Sequence, residues 1–290
     1  MRLPVIVSMG GVNAAGRTSG FQSFRRMIID TLSTEERQDT LAGLAVMMGL
    51  ADTDNGEIYR AKDGAELDRA GVAERFEADI LDGTLVRRVE PSHFNVDALY
   101  WQSNATLQAN EKGNGAPLEF VVASKRLPNP VPESWSVEAH DEDHVRVTVG
   151  DGLDVKFNST RDFPVKAAGQ LPSGFEMANL YNSRFQPRGL QMALFGATDA
   201  LRAMGIDWDT VLKHINPDQV GVYSSSGFGQ VDKEGYGGMH QARLKGERVT
   251  TKALVMGVNS MPTDFINAYV LANVGIASSS VAACATFLSN

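Results

Sequence analysis

The sequence predicts an α/β fold, and three stretches carry that prediction. The chain opens on an apolar run, PVIVSM, followed by a Gly-rich turn, GGVNAAG, and then by FQSFRRMIIDTL, which has helical character. The same order of strand, small-residue turn and helix returns near the end in VGVYSSSGFG and in IASSSVAAC followed by ATFL. An alternation of strands with helices packs as layers on a sheet. Between these regions the alternation fades into a long mixed stretch. The chain is therefore expected to divide into the start of a layered core at 1–30, an α+β insertion at 31–175, and the continuation of the core at 176–290.

Each element has a local reason. Ser33 followed by Glu36 is a capping box, and Leu41, Leu44, Ala45 and Met48 then recur at helical spacing up to a stop at Gly49. Asp54-Asn55-Gly56 reads as a turn, and GVAERFEADIL as a helix. HVRVTVGDGLDVKF alternates, with Val145, Val147 and Val149 before a Gly150-Asp151-Gly152 turn and Leu153, Val155 and Phe157 after it; this predicts a β-hairpin. Pro187 stands where a first helical residue would. Leu190, Ala193, Leu194, Ala197, Leu201 and Met204 share one face of the helix that follows, which closes at Gly205. Pro262 and Thr263 open a further helix, FINAYVLANV.

Composition narrows the function. The 290 residues carry 27 basic and 35 acidic side chains, a net charge of −8. General nucleic-acid affinity is not expected, because neutralising phosphates needs a surplus of Lys and Arg. A single cysteine makes no internal disulfide and fits a reducing, cytoplasmic setting. The opening apolar run is read as a buried strand and not as a signal peptide. No window approaches the length of a transmembrane helix.

Two motifs invite stronger readings than their context supports. GGVNAAGRTS nearly matches a phosphate-binding loop through Gly11, Gly16, Arg17 and Thr18, but arginine holds the place of the required lysine. A rigid fork does not replace a point charge, so a tight turn at a sheet end is expected. HDEDH sets His140 and His144 around acidic residues, yet it adjoins a predicted strand, not a helix, and position 141 is Asp. A charged, solvated turn is expected there. His93, His214 and His240 form no ligand spacing, and neither a metal nor another cofactor is expected.

Cys284 is the candidate nucleophile. Small residues precede it from Ser278 to Ala283, so the backbone there can approach a neighbour closely. Ala-Thr-Phe-Leu after it suits a helix start. A thiol at such a turn faces N–H groups that favour the thiolate and can also hold a developing oxyanion.

These residues resemble a known family. ACATFL resembles the nucleophile motif of the β-ketoacyl-ACP synthases of the thiolase superfamily. PVIVSMGGVNAAG resembles the family's first strand and turn, PRGLQMALFGATDALRAMG an early helix, VGVYSSSGFG the segment beside the acyl pocket, and MPTDFINAYVL the helix before the cysteine. The resemblance covers roughly 1–30 and 176–290, and it implies the first half of a thiolase-like αβαβα fold. The long insertion, with ILDGTLVRRVEPSHFNVDALYWQ inside it, resembles the variant synthases that condense acetyl-CoA with malonyl-ACP to start fatty-acid synthesis.

The resemblance implies that Cys284 accepts the acyl group and that its own N–H is one oxyanion donor. Phe228 falls where the family gates the acyl pocket, and a bulky side chain there implies a short, two-carbon primer. The family's decarboxylating histidines lie after the cysteine, and the chain's five histidines all precede it. The expectation is therefore a fragment of a longer protein, or else a chain whose missing half a second polypeptide supplies, inactive in condensation by itself. The expected partners are an acyl carrier protein and a second copy of the chain in a homodimer. Arg25-Arg26, Arg87-Arg88 and Lys125-Arg126 are candidates for docking the acidic carrier. An elongating or polyketide-type synthase, or a non-catalytic partner subunit, are the competing readings, and Cys284 counts against the last.

Overall fold

A computed structural model of the chain describes residues 4–108, 117–150, 152–181, 185–272 and 275–290. By contacts the chain falls into two compact units, Met1–Arg87 with Ala168–Asn290, and Arg88–Ala167. The second unit lies inside the stretch expected as an insertion.

The first unit begins with a correction. The run PVIVSM is not a buried strand: residues 4–10 have no strand pairing among the described residues, and Val5, Ile6 and Val7 are 79%, 86% and 65% exposed. Apolar β-branched residues favour an extended backbone, but a strand also needs a neighbour to pair with. The Gly-rich turn that follows folds into a small antiparallel pair, β1 (Val12–Asn13) with β2 (Gly16–Arg17). The Thr18 N–H closes it on the Gly11 carbonyl at 3.0 Å.

Helix α1 (Gln22–Met27) leads into α2 (Thr34–Met47). The capping box forms as expected: the Glu36 N–H donates to Ser33 Oγ at 3.3 Å and the Ser33 N–H to the Glu36 carboxylate at 3.2 Å. These bonds satisfy donors that a helix start leaves orphaned. They also hold the exposed Glu36 carboxyl below its usual range, the Ser33 side chain being the larger cause. The predicted face, Leu41, Leu44, Ala45 and Met48, is buried, and Gly49 ends the helix in the left-handed region at φ 66°.

A short sheet of β3 (Ala51–Thr53), β4 (Tyr59–Ala61) and β5 (Glu66–Leu67) turns at the predicted Asn55-Gly56. Helix α3 (Arg69–Asp82), capped by Asp68, then buries Val72, Phe76 and Ile80 against α2. Burial of that kind stabilises by about 1.5–3 kcal/mol for each large aliphatic side chain. Arg26 is buried beside this pair and donates to Thr84 Oγ1 at 2.7 Å and to the Leu81 carbonyl at 3.1 Å. Strand β6 (Val86–Arg88) follows.

The second unit is antiparallel β. Strands β7 (Leu99–Leu107), β8 (Leu118–Ala123), β9 (Trp135–Ala139), β10 (His144–Val149) and β11 (Leu153–Arg161) form two sheets. One has the order β8-β10-β9 and the other pairs β11 with β7. Strands are therefore found where the alternation predicts them, but the predicted hairpin is not: β10 and β11 lie in different sheets. Alternation fixes which face is buried and says nothing of which strand lies alongside. Here β11 finds nine partners on β7, from Leu153↔Leu107 to Arg161↔Leu99. Asp151 of the predicted turn lies outside the described residues. An ion-pair chain braces the unit, with Arg88 to Asp97 at 2.6 Å and Lys166 to Asp97 at 2.9 Å and to Asp162.

Strand β12 (Ala167–Gly169) returns the chain to the first unit. Helix α4 (Arg188–Ala203) follows Pro187, and Gly205 closes it at φ 73°. Leu190 and Leu194 are fully buried on the predicted face, together with Thr198 and Asp199. Helix α5 (Trp208–Leu212) leads to β13 (Gly221–Tyr223). Helices α6 (Tyr236–Leu244), α7 (Thr251–Gly257) and α8 (Met261–Ile266) come next, and α8 continues as a π-helical turn over Asn267–Leu271. Asn273 and Val274, at the end of that predicted helix, lie outside the described residues. Strand β14 (Ile276–Ser278) pairs in parallel with β13, and α9 (Thr286–Ser289) is the last helix described. Among the described residues no helix is long and apolar enough to cross a membrane.

Candidate active site

Strand β14 delivers the chain to Cys284. The pairing of Val222 with Ala277 sets β13 and β14 side by side, so the loops leaving their C-terminal ends meet. In open α/β sheets such crevices at strand ends are where ligands bind. After β14 the backbone turns through Ala283, whose φ of 48° lies in the left-handed region. A non-glycine residue held there is strained, and its surroundings must enforce the conformation. Cys284 follows at once, exposed, in a one-turn 3-10 helix (Ala283–Ala285) that runs into α9.

Side chains of Thr286, Asn290 and Ser225 enforce the turn. The Ala282 N–H donates to Thr286 Oγ1 at 3.1 Å, and that hydroxyl donates to the Ala283 carbonyl at 2.7 Å. The Asn290 amide donates to the Thr286 carbonyl at 3.0 Å and to Ser225 Oγ at 2.8 Å, and its carbonyl accepts from the Ser280 N–H at 2.8 Å. Ser225 Oγ donates to the Ser280 carbonyl.

The Gly-rich loop after β13 forms the second wall. Gly227 is required there: a Cβ on it would lie 2.9 Å from the Ala283 carbonyl oxygen, so only glycine lets this loop approach the Cys284 turn so closely. Gly229 sits at φ 70°, and a Cβ on it would be 2.3 Å from the Gly257 carbonyl oxygen. Asn259 pins the loop by donating to the Ser226 carbonyl at 2.6 Å, while the Ser226 N–H donates to the Asn259 carbonyl at 3.0 Å. Phe228 stands at the tip between the two glycines and is 78% exposed. Loop and thiol are thus brought together, with Phe228 projecting from the loop.

The other sequence candidates lie elsewhere. Arg17 of the loop-like GGVNAAGRTS makes an ion pair with the buried Asp199, whose carboxylate also accepts from Ser19 Oγ at 2.9 Å and from the Gly11 N–H at 3.1 Å. That stretch is a turn tied to α4, with the arginine committed to a carboxylate. HDEDH is the exposed turn between β9 and β10, where Asp141 accepts from the His144 N–H at 2.8 Å and lies 2.9 Å from its ring. The five histidines are all exposed, and among the described residues no cluster of His, Cys, Asp and Glu could hold a metal ion.

The basic pairs also divide. Arg26 is used inside the first unit, and burial lowers its pKa. Arg87 donates to the Gln170 and Leu171 carbonyls at 3.1 and 2.7 Å, and Arg88 is paired with Asp97. Lys125 and Arg126 are exposed.

No protein-family profile matches the chain. It is 49% identical over 289 residues to the β-ketoacyl-[acyl-carrier-protein] synthase FabY of Pseudomonas aeruginosa, an alignment that takes in 100% of this chain and 45% of FabY. The crystal structure of the same noncanonical ketosynthase superposes with a TM-score of 0.89, again over 100% of this chain and 45% of that one. The chain thus spans less than half the length of the curated relative it matches. In sequence and in its α/β, thiolase-like fold it is similar, over its whole length, to part of a β-ketoacyl-ACP synthase.

Proposed function

We propose that this chain supplies the acyl-accepting site of a β-ketoacyl-ACP synthase of fatty-acid synthesis, with Cys284 as the nucleophile. The observation that carries the reading is the turn itself: an exposed thiol set after a left-handed residue, at the end of a parallel strand, with a glycine-only contact from the neighbouring loop. Similarity to a ketosynthase over the whole chain supports it.

In the first step the Cys284 thiolate attacks the thioester carbonyl of acetyl-CoA. The new C–S bond forms as the carbonyl electrons move onto oxygen, and the Cys284 N–H donates to that oxyanion. The tetrahedral adduct then collapses and expels the CoA thiolate, leaving acetyl-Cys284. Splitting the transfer in this way is covalent catalysis. In the second step malonyl-ACP loses CO2, and the electron pair of the broken C–C bond forms the new bond to the acetyl carbonyl, expelling the Cys284 thiolate.

Thr286, Asn290 and Ser225 act as positioning residues, since their hydrogen bonds hold the turn that carries the thiol. Phe228 restricts the acyl group to a short primer from its place on the loop. The whole protein works with an acyl carrier protein and as a homodimer.

Intact mass spectrometry after incubation with acetyl-CoA tests this. Gain of one acetyl group, lost in Cys284→Ala, is expected. No gain from acetyl-CoA together with loading by longer acyl-ACPs would replace the primer assignment with an elongating synthase. Equal loading of octanoyl and acetyl groups, or a Phe228→Gly variant with unchanged preference, would remove Phe228 from its role.

A further inference from the structure

A cavity of about 440 Å³ opens in the first unit between α1, α2 and the end of α4. Its volume falls in the range of small-molecule sites. Three guanidinium groups line it, Arg17, Arg25 and Arg202, against a single carboxylate, Asp39. This is a local reversal of sign in a chain whose net charge is −8.

The three arginines are not equally engaged. Arg17 is bound to Asp199, and Arg25 lies 3.2 Å from Asp39, which Arg69 also approaches at 3.6 Å. Arg202 projects from the last turn of α4, and among the described residues it makes no ion pair. A fork-shaped cation free to bond is suited to carboxylate or phosphate, which it meets with two parallel hydrogen bonds.

A second, smaller space of about 120 Å³ shares Arg17, Gly43 and Arg202 with the first. Its remaining wall is formed by Val46, Met47, Leu180 and the edge-to-face pair Phe175 and Phe195, together with Thr198 and with Asp199, whose carboxylate is bonded to Arg17. Gly43 lies where the two spaces adjoin, and a Cβ there would fall 2.2 Å from the Gln22 amide nitrogen. A charged mouth with an apolar recess behind it selects a ligand with the same polarity.

We propose that this paired cavity binds a small anionic amphiphile, its phosphate or carboxylate held by Arg202 and Arg25 and its short apolar tail in the recess. None of its lining residues belongs to the Cys284 turn or to the Phe228 loop, so the site is separate from the candidate active site.

Titration calorimetry of the full chain with hexyl phosphate and with inorganic phosphate is the test. Hexyl phosphate is expected to bind saturably and more tightly than inorganic phosphate. Arg202→Ala and Arg25→Ala should each weaken it about tenfold or more, the worth of a lost charge-assisted bond. Asp39→Asn should tighten it, since the competing carboxylate is removed. That sign cannot arise from damage to the fold. Hexyl phosphate that fails to saturate the wild type at millimolar concentration, or that binds all three variants with the wild-type Kd, overturns the site. Equal affinity for the two phosphates overturns the recess.

Discussion

Asp199→Asn removes one charge from a buried carboxylate that ties the Gly11–Ser19 turn to α4. The wild-type side chain is 1% exposed. Its Oδ1 accepts from Arg17 Nε at 2.8 Å, from Arg17 Nη2 and from Ser19 Oγ at 2.9 Å, and its Oδ2 accepts from the Gly11 N–H at 3.1 Å. An asparagine keeps one acceptor oxygen, so if it stays on Arg17 its amide turns N–H toward the Gly11 N–H. One part-buried donor is then orphaned, at about 1–3 kcal/mol, and the bonds to Arg17 fall from charge-assisted to neutral strength. Arg17 is 41% exposed, which screens the ionic part and keeps the second loss near 1 kcal/mol. The sum is about 2–4 kcal/mol, or a melting temperature lower by roughly 5–10 °C in scanning calorimetry. Ser19→Ala, which removes one neutral donor, should cost about 1 kcal/mol. An Asp199→Asn variant within about 0.5 kcal/mol of wild type would refute the reasoning, that being the ordinary cost of a surface change.

Other outcomes follow from the same geometry. Gly229→Ala forces a Cβ against the Gly257 carbonyl and a side chain into the left-handed region, so it should cost about 2 kcal/mol or more and slow acetyl loading of Cys284. Arg26→Ala removes the donor to the buried Thr84 hydroxyl and to the Leu81 carbonyl and should lower stability by about 1–3 kcal/mol in urea unfolding, with the m-value unchanged. Asp97 is held below the usual carboxylate range by bonds from Lys166 and then Arg88, and Lys166 is held above its ordinary range by Asp162 and then Asp97. The stability contributed by Asp97 is thus present above its unfolded pKa and is lost as pH falls through the depressed folded value. That of Lys166 is present below its unfolded pKa and is lost as pH rises through the raised one. The melting-temperature deficit of Asp97→Asn should therefore be flat near neutrality and close at acid pH; a deficit unchanged down to the acid limit would remove the ion-pair explanation.

What the sequence made legible is local. Ser33, Glu36 and the 41–48 stripe write a helix start and its buried face into adjacent residues, and the structure has both. The order of strand, turn and helix around Cys284 is legible for the same reason. Partnership across distance is not. Alternation at 145–157 marks two strands but cannot say that β11 belongs with β7, and the apolar run at 4–9 cannot announce that no strand pairs with it among the described residues. Thr286 and Asn290, which hold the Cys284 turn, are ordinary polar residues until the turn brings them together. Thr286 alone had a readable cue, a hydroxyl at a helix start two residues past the thiol. Nor does anything near Arg17 indicate a carboxylate 182 positions away.

The first unit is discontinuous in sequence, and this imposes an order on its making. As the chain leaves the ribosome, residues 88–167 emerge whole and have their strand partners at hand. The turn at Gly11–Ser19 emerges far earlier and must wait for Asp199. At synthesis rates of about 5–20 residues per second, that interval is on the order of 10–40 s. Throughout it, Arg17 lacks the carboxylate it pairs with in the finished unit, and Val5, Ile6 and Val7 are exposed, as they are in the finished unit too. A chaperone acting on the nascent chain would meet this N-terminal stretch, and the inner unit would already have folded before the outer one could close.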